Sequence, residues 1–404
     1  MKSRILALAS AALIAATSIL PVFAAPAAYT AINGSNLTMD KYLIMDKDAN
    51  VPNATASFTI TPGTAIPATA NTLEVKAGPA GATIGSATFT PEDATYTTAQ
   101  QTSATINGSA TGKLDSVTLT ADQKYAKSPV TITLSGVTFN EPGVYRWKVT
   151  ESASTNAAIA NDHIADRYLD VYVEDNNGTL RIMGAVLHNE AGAPSSGATP
   201  ANPTADQKDG GYRNTLTTHN LTLAKEISGN QASKDEYFEF TVAITGAGNG
   251  TKLEVNLDDA DATTATNGIN TTAHTNPALI TCEADGSATQ TFWLQGTQSI
   301  VIKGLPDGAK YTINENATTM ANEGYATSIA SAGDTDISKD NAAFRAADSS
   351  TGIKADSTVT YTNQKSGVVP TGLVSTFAPY LIGLVLAAGA AGFVVMKKKN
   401  QKSA

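Results

Sequence analysis

Cysteine is almost missing from this 404-residue chain: Cys282 stands alone, so no intramolecular disulfide can form. Histidine is nearly as scarce. His163, His188, His219 and His274 lie far apart, in none of the spacings that hold a metal. Aromatic residues make up 6%, and 27 basic residues face 36 acidic ones. An acidic chain of this kind is a poor partner for nucleic acid or for anionic membrane surfaces. No nucleophile elbow, phosphate loop or zinc motif occurs. Asp46, Asp48 and Asn50 imitate the start of a calcium loop, but Val51 stands where the turn glycine is needed and no Glu closes it. Segments with helical periodicity are few. What is present is Thr and Val in short alternating runs, punctuated by Gly, Asn, Asp and Pro. That pattern predicts an all-β protein, and the length suggests two domains or three.

The two ends carry targeting information. Lys2 and Arg4 precede an apolar stretch, and Val22-Phe23-Ala24 offers a small-residue cleavage site, so residues 1–24 read as a secretory signal peptide. At the other end Val368, Val369, Pro370, Thr371 and Gly372 precede an apolar run over 373–396, then Lys397, Lys398 and Lys399. The run is long enough to span a bilayer, with the lysines left on the cytoplasmic side. An ordinary single-pass anchor is one reading of this tail. Pro-Thr-Gly before such a tail also resembles the cell-wall sorting signal of Gram-positive surface proteins. The usual signal is Leu-Pro-x-Thr-Gly, and Val-Pro-Thr-Gly variants occur among pilins. The resemblance implies that a sortase cuts between Thr371 and Gly372 and passes the Thr371 acyl group to an amine. Removing both ends takes away six basic residues and no acidic ones, leaving a wall-exposed chain more acidic still.

Internal repeats come next. Leu37-Thr-Met-Asp-Lys41 is echoed by Leu221-Thr-Leu-Ala-Lys225. Gly143-Val-Tyr-Arg-Trp-Lys-Val-Thr-Glu151 is echoed by Gly308-Ala-Lys-Tyr-Thr-Ile-Asn-Glu315, and Tyr212-Arg-Asn214 by Tyr361-Thr-Asn363. The order Lys, Glu, Asn thus occurs twice, with the wider gaps in the first copy. It reads as two tandem β domains, residues 25–217 and 218–366, the first enlarged by insertions over 61–123. Residues two apart on a strand share a face. Lys41 therefore sits with Leu37, Met39 and Leu43, and Lys225 with Leu221, Leu223 and Ile227. Glu151 sits with Tyr145, Trp147 and Val149, and Glu315 with Tyr311 and Ile313. Asn214 joins Tyr212 and Leu216, and Asn363 joins Val359 and Tyr361. All six polar residues point to the apolar side, where each is costly to bury unpaired.

One chemistry uses these three groups together. Desolvation disfavours the charged form of both an amine and a carboxyl, and a neutral amine is a competent nucleophile. A protonated Glu donating to the Asn carbonyl would polarise it and shuttle protons. Attack on the amide carbon then expels ammonia and leaves a Lys–Asn isopeptide bond, with proximity supplying most of the rate and no cofactor required. Two buried salt bridges with hydrogen-bonding asparagines are the plainer alternative.

With these motifs the chain resembles a Gram-positive major (backbone) pilin built from two immunoglobulin-like, isopeptide-forming domains. The resemblance implies bonds Lys41–Asn214 and Lys225–Asn363, assisted by Glu151 and Glu315, with Asn314 departing from the Thr expected before the second Glu. It also implies an acceptor lysine just before the closing strand of the first domain. Lys208, six residues ahead of Asn214 in a polar loop-like stretch, occupies that place. Lys124, Lys127 and Lys234 are the other candidates. The implied partners are identical subunits, a pilus sortase, minor pilins, and peptidoglycan directly or through a basal pilin. A monomeric wall-anchored adhesin would share both signals and both bonds but have no working acceptor lysine. A wall-anchored enzyme would need an acid–base or metal constellation that the chain does not display.

Overall fold

The computed structural model describes residues 29–97, 101–106, 109–194, 208, 211–259, 276–333, 335–339, 343–347 and 351–367. The expected signal peptide, the expected sorting residues Val368, Val369, Pro370, Thr371 and Gly372, and the apolar run after them lie outside the described residues.

Alternating runs fold as strands, and the described chain is nearly all β, with one short helix at Ala317–Asn322. Four main sheets form two sandwiches. In the first, a six-stranded sheet runs Ile159–Ala160, Gly211–Leu216, Leu37–Asp46, Gln123–Thr133 and Thr83–Ile84, with Thr95–Tyr96 also on Gln123–Thr133. It faces a five-stranded sheet built on Asp166–Asn176 and Gly143–Glu151. In the second, Thr218–Ser228 lies between Gln298–Pro306 and Ser357–Gln364, facing a sheet that contains Phe238–Thr245 and Lys310–Asn316.

Each sandwich closes in the same way. The first strand and the last are parallel neighbours, with Tyr212 opposite Lys41 and Asn214 opposite Leu43. In the second sandwich Tyr361 is opposite Lys225 and Asn363 opposite Ile227. The asparagine therefore sits two positions beyond the lysine in both. Gly211 opens the first closing strand because no larger residue fits there. A Cβ at that position would meet Asp40 O at 2.6 Å and the Tyr42 ring at 2.8 Å.

The cores follow the predicted parity. Leu37, Met39, Trp147, Val149, Tyr212 and Leu216 belong to one buried cluster. Leu221, Leu223, Phe240, Ile313, Val359 and Tyr361 belong to another. Phe139 packs between Tyr145 and Trp147, with centroids at 4.8 and 6.3 Å. Of the short strands in the 61–123 insertions, Val75–Ala77 joins the main sheet by pairing with Gly143–Glu151, whereas Ala87–Phe89 forms a separate two-stranded sheet with Ala54–Ala56. The false calcium loop is used where the sandwiches meet. Asn50 Nδ2 donates to Lys252 O at 2.9 Å, and Asp48 Oδ1 lies 3.3 Å from Lys303 Nζ.

Burial extends to charges that parity alone places outward. Arg146 alternates with Tyr145 and Trp147, yet it is only 1% exposed. Its Nε and Nη2 donate to Asp170 Oδ1 and Oδ2 at 2.6 and 2.7 Å, and Nη1 donates to Ala191 O at 2.6 Å. His188 Nε2 lies 3.1 Å from Asp170 Oδ2. Burial alone would raise the Asp170 carboxyl, but its hydrogen bonds from Arg146 and His188 outweigh that and hold it below the usual carboxylate range. A depressed carboxylate contributes stability above its unfolded pKa and loses it as pH falls through the folded value. Asp170→Ala leaves Arg146 buried without its counter-charge and should cost about 3–5 kcal/mol. Thermal unfolding of residues 25–366 reads this as a lowered first-sandwich transition at neutral pH. The gap to wild type narrows as acid below about pH 4 neutralises the wild-type carboxylate.

Candidate functional site: two buried lysine–glutamate–asparagine clusters

The closing register puts each Lys and Asn on adjacent strands of one sheet, side chains inward. The Glu arrives from the facing sheet, so the three meet in the middle of the sandwich. All six are buried: Lys41 and Lys225 are 1% exposed, Asn363 and Glu315 0%.

In the first cluster Lys41 Nζ lies 2.8 Å from Glu151 Oε1 and donates to Asn214 Oδ1. Asn214 Nδ2 donates to the same Glu151 oxygen at 2.8 Å. In the second, Lys225 Nζ donates to Glu315 Oε1 at 2.9 Å, and Asn363 Nδ2 donates to that oxygen at 3.0 Å. One carboxyl oxygen thus touches both the amine and the amide nitrogen in each cluster. This differs from the expected contact between the Glu and the amide carbonyl. The reason in the first cluster is the backbone N–H of Asp162, which donates to Asn214 Oδ1 at 2.9 Å and turns Nδ2 toward Glu151. In the second, Thr327 Oγ1 lies 2.6 Å from Asn363 Oδ1, and Met320 Sδ accepts from Nδ2 at 3.1 Å.

The surroundings are apolar and aromatic. Lys225 Nζ stands 4.2 Å from the Phe238 ring centre, and Lys41 Nζ 5.6 Å from that of Tyr212. Desolvation pulls both lysines down from the ordinary value to about 8, against the opposing pull of Glu151 on Lys41 and Glu315 on Lys225. A cavity of about 20 Å³, room for a water-sized molecule, borders Lys41, Glu151 and Asn214. Glu151 Oε2 has no hydrogen-bond partner among the described residues, whereas Glu315 Oε2 lies 3.3 Å from Thr327 Oγ1. A lysine with a lowered pKa, a carboxamide and a carboxyl oxygen that touches both nitrogens have the composition that aminolysis of the amide requires.

Asp162 and Thr327 are the site residues that sequence reasoning missed. Asp162 acts through its backbone, which no side-chain pattern reports. Its carboxylate accepts from Arg167 Nη2 at 3.0 Å and from the Arg213 N–H at 2.9 Å, which fixes the loop. Thr327 sits on an exposed-looking edge strand, where a threonine is unremarkable. Lys208 is half-buried, and its backbone bridges that of His188 at the end of Thr179–His188. Of the other candidates, Lys127 is paired with Asp40 at 3.3 Å, burial lowers Lys124, and Lys234 is exposed. Among the described residues no group of His, Cys, Asp and Glu could hold a metal, and no helix is long and apolar enough to cross a membrane.

A lysine with a lowered folded pKa makes the folded state bind fewer protons than the unfolded one between about 8 and 10.4, so stability rises with pH there. An Asn363→Ala chain, which keeps Lys225 as a free amine, should gain stability across that window in denaturant titrations. Adding Lys225→Met should remove that gain.

A family model described as a domain of unknown function (DUF7601) matches residues 219–365. Over 374 residues the chain is 28% identical to a curated pilin of Streptococcus pyogenes serotype M1, covering 92% of this chain and 93% of that one. It is 30% identical over 158 residues to the pilus tip adhesin Cpa of Streptococcus pyogenes, 39% of this chain but 18% of the adhesin. Among solved structures, the major pilin of Streptococcus pyogenes is similar at 21% identity with a TM-score of 0.48, covering 83% of this chain and 100% of that one.

Proposed function

Since this chain is similar over most of its length to a curated pilin of Streptococcus pyogenes, we propose that it is the backbone subunit of a covalent, sortase-assembled pilus, stabilised by two internal Lys–Asn isopeptide bonds. The observation that carries the internal bonds is the repeated register. In both sandwiches the Asn lies two positions beyond the Lys on a parallel neighbour, with one Glu oxygen shared between them.

The chemistry follows from the contacts. Lys41 Nζ and Lys225 Nζ attack Cγ of Asn214 and Asn363. Glu151 and Glu315 take a proton from the amine and deliver it to Nδ2 through the oxygen that touches both nitrogens. The Cγ–Nδ2 bond breaks, ammonia leaves, and a secondary amide remains. Treated as a cross-link closing roughly 140 to 170 residues, each bond restricts the unfolded chain by about 5 kcal/mol. Outside the sandwiches, a sortase cleaves between Thr371 and Gly372 and joins Thr371 to Lys208 of the next subunit. The product is a homopolymer on the cell surface, carrying minor pilins and attached to peptidoglycan directly or through a basal pilin. The proposed domain bounds are 25–217 and 218–366. The protein is structural, and its only catalysis is on itself.

The intact mass of residues 25–366 tests the internal bonds. Wild type should fall short of its calculated mass by two ammonia molecules, and Glu151→Ala and Glu315→Ala by one each. A full calculated mass for wild type removes the bonds.

Assembly is tested separately. Wall extracts should give a high-molecular-weight ladder that collapses to a single band in Lys208→Arg. The match to a tip adhesin keeps a second reading in view, a monomeric anchored adhesin. A single band from wild type would favour it, and a ladder that survives Lys208→Arg would move the acceptor to Lys124, Lys127 or Lys234.

A further inference from the structure

The two clusters share their amine, carboxyl and carboxamide but differ in the group outside these three that faces the amide oxygen. In the first sandwich the strand Ile159–Ala160 pairs with Leu216 and Thr215 and then ends before it reaches Asn214. The chain turns, and the turn presents the Asp162 backbone N–H to Asn214 Oδ1 at 2.9 Å. In the second sandwich the corresponding edge strand, Ala326–Ala332, does not stop. It runs past the asparagine with Thr327 directly opposite Asn363. A backbone N–H in a continuous strand serves the ladder, so only a side chain can turn to the amide. Thr327 Oγ1 is that group, 2.6 Å from Asn363 Oδ1 and 3.3 Å from Glu315 Oε2.

We propose that Thr327 is a catalytic residue of the second cluster, its hydroxyl acting as the oxyanion donor that the Asp162 backbone supplies in the first. This rests on the isopeptide reading above. Attack by Lys225 Nζ forms the Nζ–Cγ bond and moves the carbonyl electron pair onto Asn363 Oδ1. Collapse of that oxyanion breaks Cγ–Nδ2, and the amine's proton leaves on Nδ2 as ammonia. Oδ1 is the atom whose charge grows on the way to the transition state, and a donor aimed at it in a dry site acts where such contacts count most. The hydroxyl has one proton, and the nearer acceptor is Oδ1. Thr327 gains and loses nothing overall. The two bonds therefore depend on different kinds of donor, one fixed in the main chain and one removable by mutation.

The test times closure of each bond in residues 25–366, which contain both complete sandwiches. Chain made in a reconstituted translation mix is quenched in acid at intervals. Intact mass gives total ammonia loss, and peptide mapping separates the Lys41–Asn214 product from the Lys225–Asn363 product. Thr327→Ala should slow the second bond on the order of tenfold or more and leave the first at its wild-type rate. Thr327→Ser, which keeps the hydroxyl and loses the methyl, should close the second bond at close to the wild-type rate. If serine and alanine are equally slow, the residue acts through its methyl and packing, and the inference fails. If alanine closes at the wild-type rate, it fails as well. Wild type that loses no ammonia from either sandwich sinks the isopeptide reading itself, an outcome distinct from indifference to residue 327.

Discussion

A lysine amine kept dry against a carboxamide is the arrangement that the rest of each sandwich serves. Neither group would be buried alone, since each forfeits solvation that apolar neighbours cannot replace. They are tolerated because Glu151 and Glu315 answer both at once, each through a single oxygen. The strand order follows from that need. First and last strands must be adjacent and parallel, the asparagine two positions beyond the lysine, and the Glu strand in the facing sheet. Gly211, with no room for a Cβ, is one local consequence.

Much of this was legible in the sequence because β-strand parity is an inflexible rule. Lys41 with Leu37, Met39 and Leu43, and Glu151 with Trp147 and Val149, are buried together as alternation requires. Parity reports a face but not whether that face is covered. Arg146 shows the difference: it points away from Trp147, yet loop residues Ala191 and Gly192 close over it and Asp170 neutralises it. The Asp162 contact was hidden for another reason, since it is a backbone donor whose position depends on where an edge strand ends. The acidic run Asp46, Asp48 and Asn50 looked like part of a cation site and instead joins the two sandwiches through Lys303 and the Lys252 carbonyl.

Placement of the clusters bears on how such a protein would carry load. Tension applied at the chain ends enters each sandwich through its first and last strands. A covalent tie between those two strands passes the force across the sandwich and leaves the enclosed sheets unloaded. Cys282 is the only cysteine and is buried, so a disulfide is not available for that purpose. A bond made from lysine and asparagine is indifferent to redox conditions, and it forms only after folding has brought its partners into contact.

The most direct test of the account is a crystal structure of residues 25–366 at a resolution that separates bonded from non-bonded atoms. The account predicts continuous density from Lys41 Nζ to Asn214 Cγ and from Lys225 Nζ to Asn363 Cγ, each with a planar amide and with the departed nitrogen gone. Discrete amine and carboxamide groups at both places, still hydrogen-bonded through Glu151 and Glu315, would contradict it and leave two buried ion pairs in their place.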